Sequence, residues 1–128
     1  MKLLLDTHAL LWWWTNDAKL SVKAKIAIQD ERNQVWVSAA SAWEIATKTR
    51  LGKLDMGTRV LARFQEMTSD DGFTHLPITW QHSVCAGGLS LEHRDPFDRM
   101  LAAQCLLEDA SLVSTDPAFA VFGARVLW

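Results

Sequence analysis

The chain has no tyrosine, two cysteines and three prolines in 128 residues, and each shortage removes a class of protein. Cys85 and Cys105 cannot staple a small secreted scaffold, and they do not form a Cys-x-x-Cys pair. Their apolar neighbours suit buried free thiols of a reducing compartment. Glycine and proline are too sparse for a collagen-like or low-complexity segment. No apolar run is long enough to span a bilayer, so no membrane role is expected. The opening Met1-Lys2-Leu3-Leu4-Leu5 starts like a signal peptide, but Asp6 and His8 interrupt it, and a cytoplasmic protein is expected. An excess of one charge is missing too. The net charge of −2 argues against a loose, purely electrostatic binder of nucleic acid. Sequestering several acids on bound cations would tip that balance to positive. The glycine loops of nucleotide-binding proteins, Gly-x-Gly-x-x-Gly and Gly-Lys-Ser/Thr, are also missing.

What is present is an ordinary globular composition, 49% hydrophobic and 22% charged, at a length that supports one core. Residues 1–128 are therefore read as a single domain. Seven tryptophans are the one compositional excess. Burial or a subunit contact is their plain explanation, including for the run Trp12-Trp13-Trp14.

The stretch Lys2 to Leu5 is apolar without alternation and closes on Asp6-Thr7, which reads as a strand buried on both faces of a parallel sheet. Asp6 then stands at the strand's carboxyl end. A short helix from Ala9 to Trp14 follows, and Ser21 caps a second through about Glu31. Gln34 to Ser38 is a second strand, leading into a helix from Ala39 to Arg50 closed by Gly52. Val60, Leu61, Phe64 and Met67 recur at helical spacing from Thr58, in one helix ending before Ser69-Asp70-Asp71-Gly72. Phe73 to Leu76 is a third strand. Thr79 caps a helix through Ala86, and a loop runs from Leu89 to Arg94. Asp95-Pro96 opens a long helix through Leu107, apolar nearly all round and so expected to be buried. Ser111 to Ser114 and Arg125 to Leu127 are the last strands, with a short helix after Pro117 between them. Strands alternating with helices predict an α/β fold, a three-layer α/β/α sandwich on a mostly parallel sheet of about five strands.

In such a sandwich Asp6 and Asp116 lie at strand ends, Asp98 in the first turn of a returning helix and Glu44 early in another. All four therefore face one edge of the sheet. Each has a structural explanation as well. Asp6, Asp95 and Asp116 are natural N-caps, Asp98 suits a helix dipole, and Glu44 could close a capping box with Ser41 or pair with Lys48. Singly, capping is the stronger reading. Together, four carboxylates would repel one another unless cations compensate them, and an all-oxygen set without His or Cys suits Mg²⁺ or Mn²⁺. Such ions activate water and stabilise the leaving oxygen in phosphodiester cleavage.

Four spaced blocks carry a resemblance: Leu4-Leu5-Asp6-Thr7-His8, Val37-Ser38-Ala39-Ala40-Ser41-Ala42-Trp43-Glu44-Ile45, Arg94-Asp95-Pro96-Phe97-Asp98-Arg99-Met100-Leu101-Ala102-Ala103-Gln104, and Leu112-Val113-Ser114-Thr115-Asp116-Pro117-Ala118-Phe119. Over nearly its whole length the chain resembles a PIN-domain ribonuclease, and more closely a VapC-type toxin of a type II toxin–antitoxin pair. The resemblance implies that Asp6, Glu44, Asp98 and Asp116 are the catalytic, metal-binding acids. It makes Thr7 and Ser114 nearby hydroxyls and Asp95 a cap that could support the site. It further implies a metal-dependent cut in RNA, a homodimer and a cognate antitoxin. Arg94 and Arg99 flank the acidic block and are candidates for RNA phosphates. His8, His75, His82 and His93 show no paired spacing and are read as surface or core residues.

Rival readings fit less well. A receiver domain wants an acidic pair after the first strand and a lysine near the last, and no lysine follows Lys53. An aspartyl-nucleophile phosphatase wants a second Asp where His8 stands. A catalytically silent PIN-like module that only binds RNA or protein would have no need of all four carboxylates.

Overall fold

Leu3, Leu4 and Leu5 are all fully buried, which the alternating directions of strand side chains explain. Leu3 and Leu5 enter one apolar layer and Leu4 the other, so β1 (Lys2–Leu5) is covered on both faces. In the computed structural model, which describes residues 1–90, 92 and 95–128, this strand is the middle of a five-stranded sheet. The others are β2 (Gln34–Ser38), β3 (Thr74–Leu76), β4 (Ser111–Val113) and β5 (Arg125–Leu127), in the order β3-β2-β1-β4-β5. Every pairing is parallel, and Leu5 is opposite both Val37 and Val113. The expected α/β/α sandwich is what forms.

The helices are α1 (Thr7–Thr15), α2 (Val22–Gln29), α3 (Ala39–Arg50), α4 (Gly57–Ala62), α5 (Phe64–Asp70), α6 (Trp80–Gly88), α7 (Pro96–Glu108) and α8 (Ala118–Val121). The layer holding Leu3 and Leu5 is built by Leu10, Ile28, Ile45 and Val60, from α1 to α4. Ala86, Leu101 and Phe119, from α6, α7 and α8, build the layer under Leu4 and Leu112.

Strand order decides where a site can form. The chain steps outward from β1 to β2 and β3, then returns to lay β4 on the other side of β1. Ligands of open parallel sheets bind outside the carboxyl ends of the strands where the order reverses, here between β1 and β4. The backbone ties this point shut, because the Asp6 N–H donates to the Val113 carbonyl at 3.1 Å.

Three expectations need correction. The helix expected from Thr58 is two, broken at Arg63, whose backbone (φ −113°, ψ 12°) leaves the helical region. Each half answers to a different neighbour. Gly57 is pressed so closely to α3 that a Cβ there would meet Thr49 Oγ1 at 1.7 Å, whereas Phe64 packs on Trp14 and His75. The second half also runs on through Ser69 and Asp70, which were expected in the turn. Burial of α7 holds only from Met100 to Cys105, and Leu106 and Leu107 in its last turn are exposed. Trp12, Trp13 and Trp14 are half-buried against the core, with the indole N–H groups of Trp13 and Trp14 both donating to Asp71 Oδ2. Cys105 is buried and burial pushes its thiol up to about 12, while Cys85 is half-buried. No described helix is long and apolar enough to cross a membrane.

Candidate active site

Asp6 leaves β1 and becomes the N-cap of α1, where its Oδ1 accepts from the Ala9 N–H at 2.7 Å. Capping and site chemistry are thus compatible in one residue, since a carboxylate has further lone pairs. The side chain is buried, and burial raises its carboxyl above the usual range, with the nearby Glu44 charge adding to the effect. The Ser114 hydroxyl, the Ala9 N–H and the His8 charge pull the other way.

Ser114 lies just past β4 and is fully buried. Its hydroxyl lies close enough to the Asp6 carboxylate to favour the ionised form and accepts from the Asp116 N–H at 3.0 Å, so one side chain stands between the ends of both strands at the switch point. Asp116 Oδ1 accepts from the Ala118 N–H at 2.9 Å. Thr7, buried beside Asp6 in sequence, donates its Oγ1 hydrogen to Ser41 Oγ at 3.0 Å, joining α1 to α3.

Glu44 is buried on α3 and its Oε2 meets Lys48 Nζ at 2.5 Å. The alternative of a capping box with Ser41 is set aside, because Ser38 is the N-cap and accepts from the Ala40 N–H. Asp98 is half-buried in the first turn of α7. Asp95 caps that helix, its Oδ1 accepting from the N–H groups of Phe97 and Asp98 at 2.9 and 3.2 Å. Arg99, a candidate for RNA phosphates, lays its guanidinium on the carbonyls of Ala86, Gly87 and Leu89. It clasps the end of α6. Arg94, the other candidate for RNA, and His93 lie outside the described residues.

The four acids thus arrive at one edge without closing into a cage. Among the described residues, no three His, Cys, Asp or Glu side chains stand close enough together to hold a metal ion. The described partners of Asp6 and Asp116 are Ser114 and helix N–H groups, and that of Glu44 is Lys48. The donor chemistry nevertheless fits a hard divalent cation. Every donor is a carboxylate oxygen, and Asp6 and Glu44 are buried anions close enough to raise each other's energy. Clefts of about 660 and 700 Å³ elsewhere, the first beside Gln34 and the second along α2, are lined by none of the four.

Sequence reasoning missed a buried polar chain that sets the site's walls. Ser38 Oγ donates to Gln104 Oε1 at 2.5 Å, and Gln104 Nε2 reaches the Pro77 carbonyl and His82 Nδ1. His82 Nδ1 also accepts from the Thr79 N–H, so its proton sits on Nε2 and is donated to Glu108 at 2.8 Å. This chain fixes the start of α3, which carries Glu44, against α7, which carries Asp98. The available signal was Gln104 itself, a polar residue in the middle of an apolar helix. A second feature joins the same helices: Trp43 and Phe97 meet edge to face, 4.8 Å between centroids at 78°.

Residues 3–124 match the family model of the PIN domain. No curated protein sequence matches the chain. Among solved structures it is similar to VapBC2 from Rickettsia felis bound to a DNA fragment from their promoter. The TM-score is 0.67 and identity 14%, over 98% of this chain and 97% of that one. It is similar to VapBC-1 from nontypeable Haemophilus influenzae, with a TM-score of 0.64 and 15% identity over 98% and 96%. A toxin–antitoxin complex from Klebsiella pneumoniae gives 0.61 and 17% over 88% and 85%.

Proposed function

The chain belongs to the PIN domain family, and from that premise we propose that it is a divalent-metal-dependent endoribonuclease, the toxin of a VapBC-type pair. The observation that carries the reading is the junction at the switch point. Ser114, bonded to the Asp116 N–H after β4, stands beside the Asp6 carboxylate at the end of β1, within the electrostatic reach of Glu44. Buried carboxylates gathered at a ligand crevice are costly to the fold unless a cation uses them.

Asp6, Asp98 and Asp116 would hold Mg²⁺ or Mn²⁺, with Glu44 completing the set. When bound, the ion supplies the charge that activates a water and stabilises the leaving oxygen of an RNA phosphodiester. The chain's own residues prepare the place. Ser114 and the Ala9 N–H orient Asp6 and favour its ionised form, the Ser114–Asp116 bond positions the second strand end, and the Ser38–Gln104–His82 chain holds the helices of Glu44 and Asp98 in register. Lys48 keeps Glu44 neutralised in the resting site. Its similarity to a toxin–antitoxin complex supports a cognate antitoxin as partner, and a homodimer is proposed with it.

The test is to measure Mn²⁺ binding by electron paramagnetic resonance, and RNA cleavage, in Asp98→Asn and Asp116→Asn. Both variants should fold, bind Mn²⁺ at least tenfold more weakly and lose cleavage by two or more orders of magnitude. Full activity in either folded variant would remove that residue from the site.

A further inference from the structure

We propose that Trp43, braced by Phe97, is a stacking platform for an unpaired base of the RNA beside the cleaved phosphodiester. The inference rests on the ribonuclease reading and deepens it. Trp43 precedes Glu44 on α3 and Phe97 precedes Asp98 on α7, so the aromatic pair spans the same two helices as two of the acids. The edge-to-face contact uses part of the indole, yet Trp43 remains 55% exposed. An indole held that way is already oriented for a ligand's flat face and loses little entropy on binding it.

The chain's other tryptophans are used differently. Trp12, Trp13 and Trp14 pack on the core, Trp128 leans on Trp12, and Trp36 is partly buried against the opposite layer. Trp80 is exposed at the start of α6, where none of the four acids stands. Trp43 alone among these combines exposure, an aromatic brace and a place beside the acids.

Electrostatics points the same way. The chain is net negative, and Lys48 and Arg99 are engaged by Glu44 and by α6 carbonyls. Phosphate contacts from these two are therefore a weak source of affinity, whereas stacking of an unpaired base on an aromatic contributes without charge. Bases inside a duplex are already stacked and cannot use the platform, so it selects single-stranded segments.

Binding is measured by fluorescence anisotropy with a fluorescein-labelled, mixed-sequence single-stranded RNA in Mg²⁺. An Asp6→Asn background prevents cleavage while Asn still caps α1. Adding Trp43→Ala should weaken binding roughly 5- to 150-fold, as expected for one lost stacking contact. Trp43→Phe should restore most of it. The same RNA annealed to its complement should bind weakly and equally to all three. Equal binding of single strands by the Ala variant and its parent would overturn the proposal. So would a loss in Trp43→Ala that light scattering traces to dissociation of a homo-oligomer, which would make Trp43 a protein contact. Wild-type cleavage of the same RNA separates the two levels. Cleavage with an indifferent Trp43 refutes stacking alone, and neither cleavage nor binding refutes the ribonuclease reading with it.

Discussion

Replacing Ser114 by alanine should cost stability in a way that depends on the charge of Asp6. The hydroxyl is fully buried, lies beside the Asp6 carboxylate and favours its ionised form, and accepts from the Asp116 N–H at 3.0 Å. A hydrogen bond to a charged group contributes about 1.5–3 kcal/mol. Orphaning the amide adds about 1 kcal/mol, the low end of the range, because Asp116 is half-buried and water can reach it. The total is about 3 kcal/mol when Asp6 is ionised, equivalent to a fall in Tm of roughly 10 °C for a domain of this size. When Asp6 is protonated the bond is an ordinary neutral one, and the cost should shrink by about 1 kcal/mol. Urea denaturation in EDTA, above and below the Asp6 midpoint, with wild type, Ser114→Ala, Asp6→Asn and the double variant, measures this directly. If Ser114→Ala cost the same at both pH values and as much in the Asp6→Asn background, the bridge between the strand ends would not exist as described.

Two further predictions concern the same charges. The folded-state pKa of Asp6 is raised, chiefly by burial, so the native state binds a proton more readily than the unfolded chain. Its stabilising effect is present below the unfolded value of 3.8 and is lost as pH rises through the higher folded value. Denaturation across that window in EDTA should show the loss in wild type and a flatter profile in Asp6→Asn; identical slopes would contradict it. Lys48→Met leaves the buried Glu44 carboxylate without its partner. Because Lys48 is about one-third exposed, we expect a discounted loss of about 1–2 kcal/mol without metal. Mn²⁺ should then raise Tm more in the variant than in wild type, and an equal rise would mean that Lys48 does not stand in for the cation.

The central strand was legible because burial on both faces leaves an unbroken leucine run, and Asp6 was legible as the residue that stops it. The caps at Ser21, Thr79 and Asp95 were legible for the same local reason, since their side chains serve amides two or three residues ahead. Arg63 was not. Val60, Leu61, Phe64 and Met67 satisfy one helical period, and only the packing of Gly57 on α3 and of Phe64 on Trp14 turns the second half away. The seat of Arg99 was not legible for a related reason: its position beside acids says nothing of the carbonyls at the end of α6 that accept from it. The polar chain from Ser38 through Gln104 to His82 joins residues up to 66 positions apart, beyond the reach of any local pattern. Ser114 was available only as a hydroxyl near the acids, through the family resemblance, and the parallel register of β1 with β4 is what brings it beside Asp6.

The most direct test of the account is cleavage of end-labelled total cellular RNA by purified, antitoxin-free protein, with Mg²⁺ or Mn²⁺, with EDTA, and with Asp6→Asn alongside. The account predicts discrete fragments that need the metal and vanish in the folded variant. Fragments that persist in EDTA or in Asp6→Asn, or no cleavage by a folded and metal-loaded wild type, would contradict it.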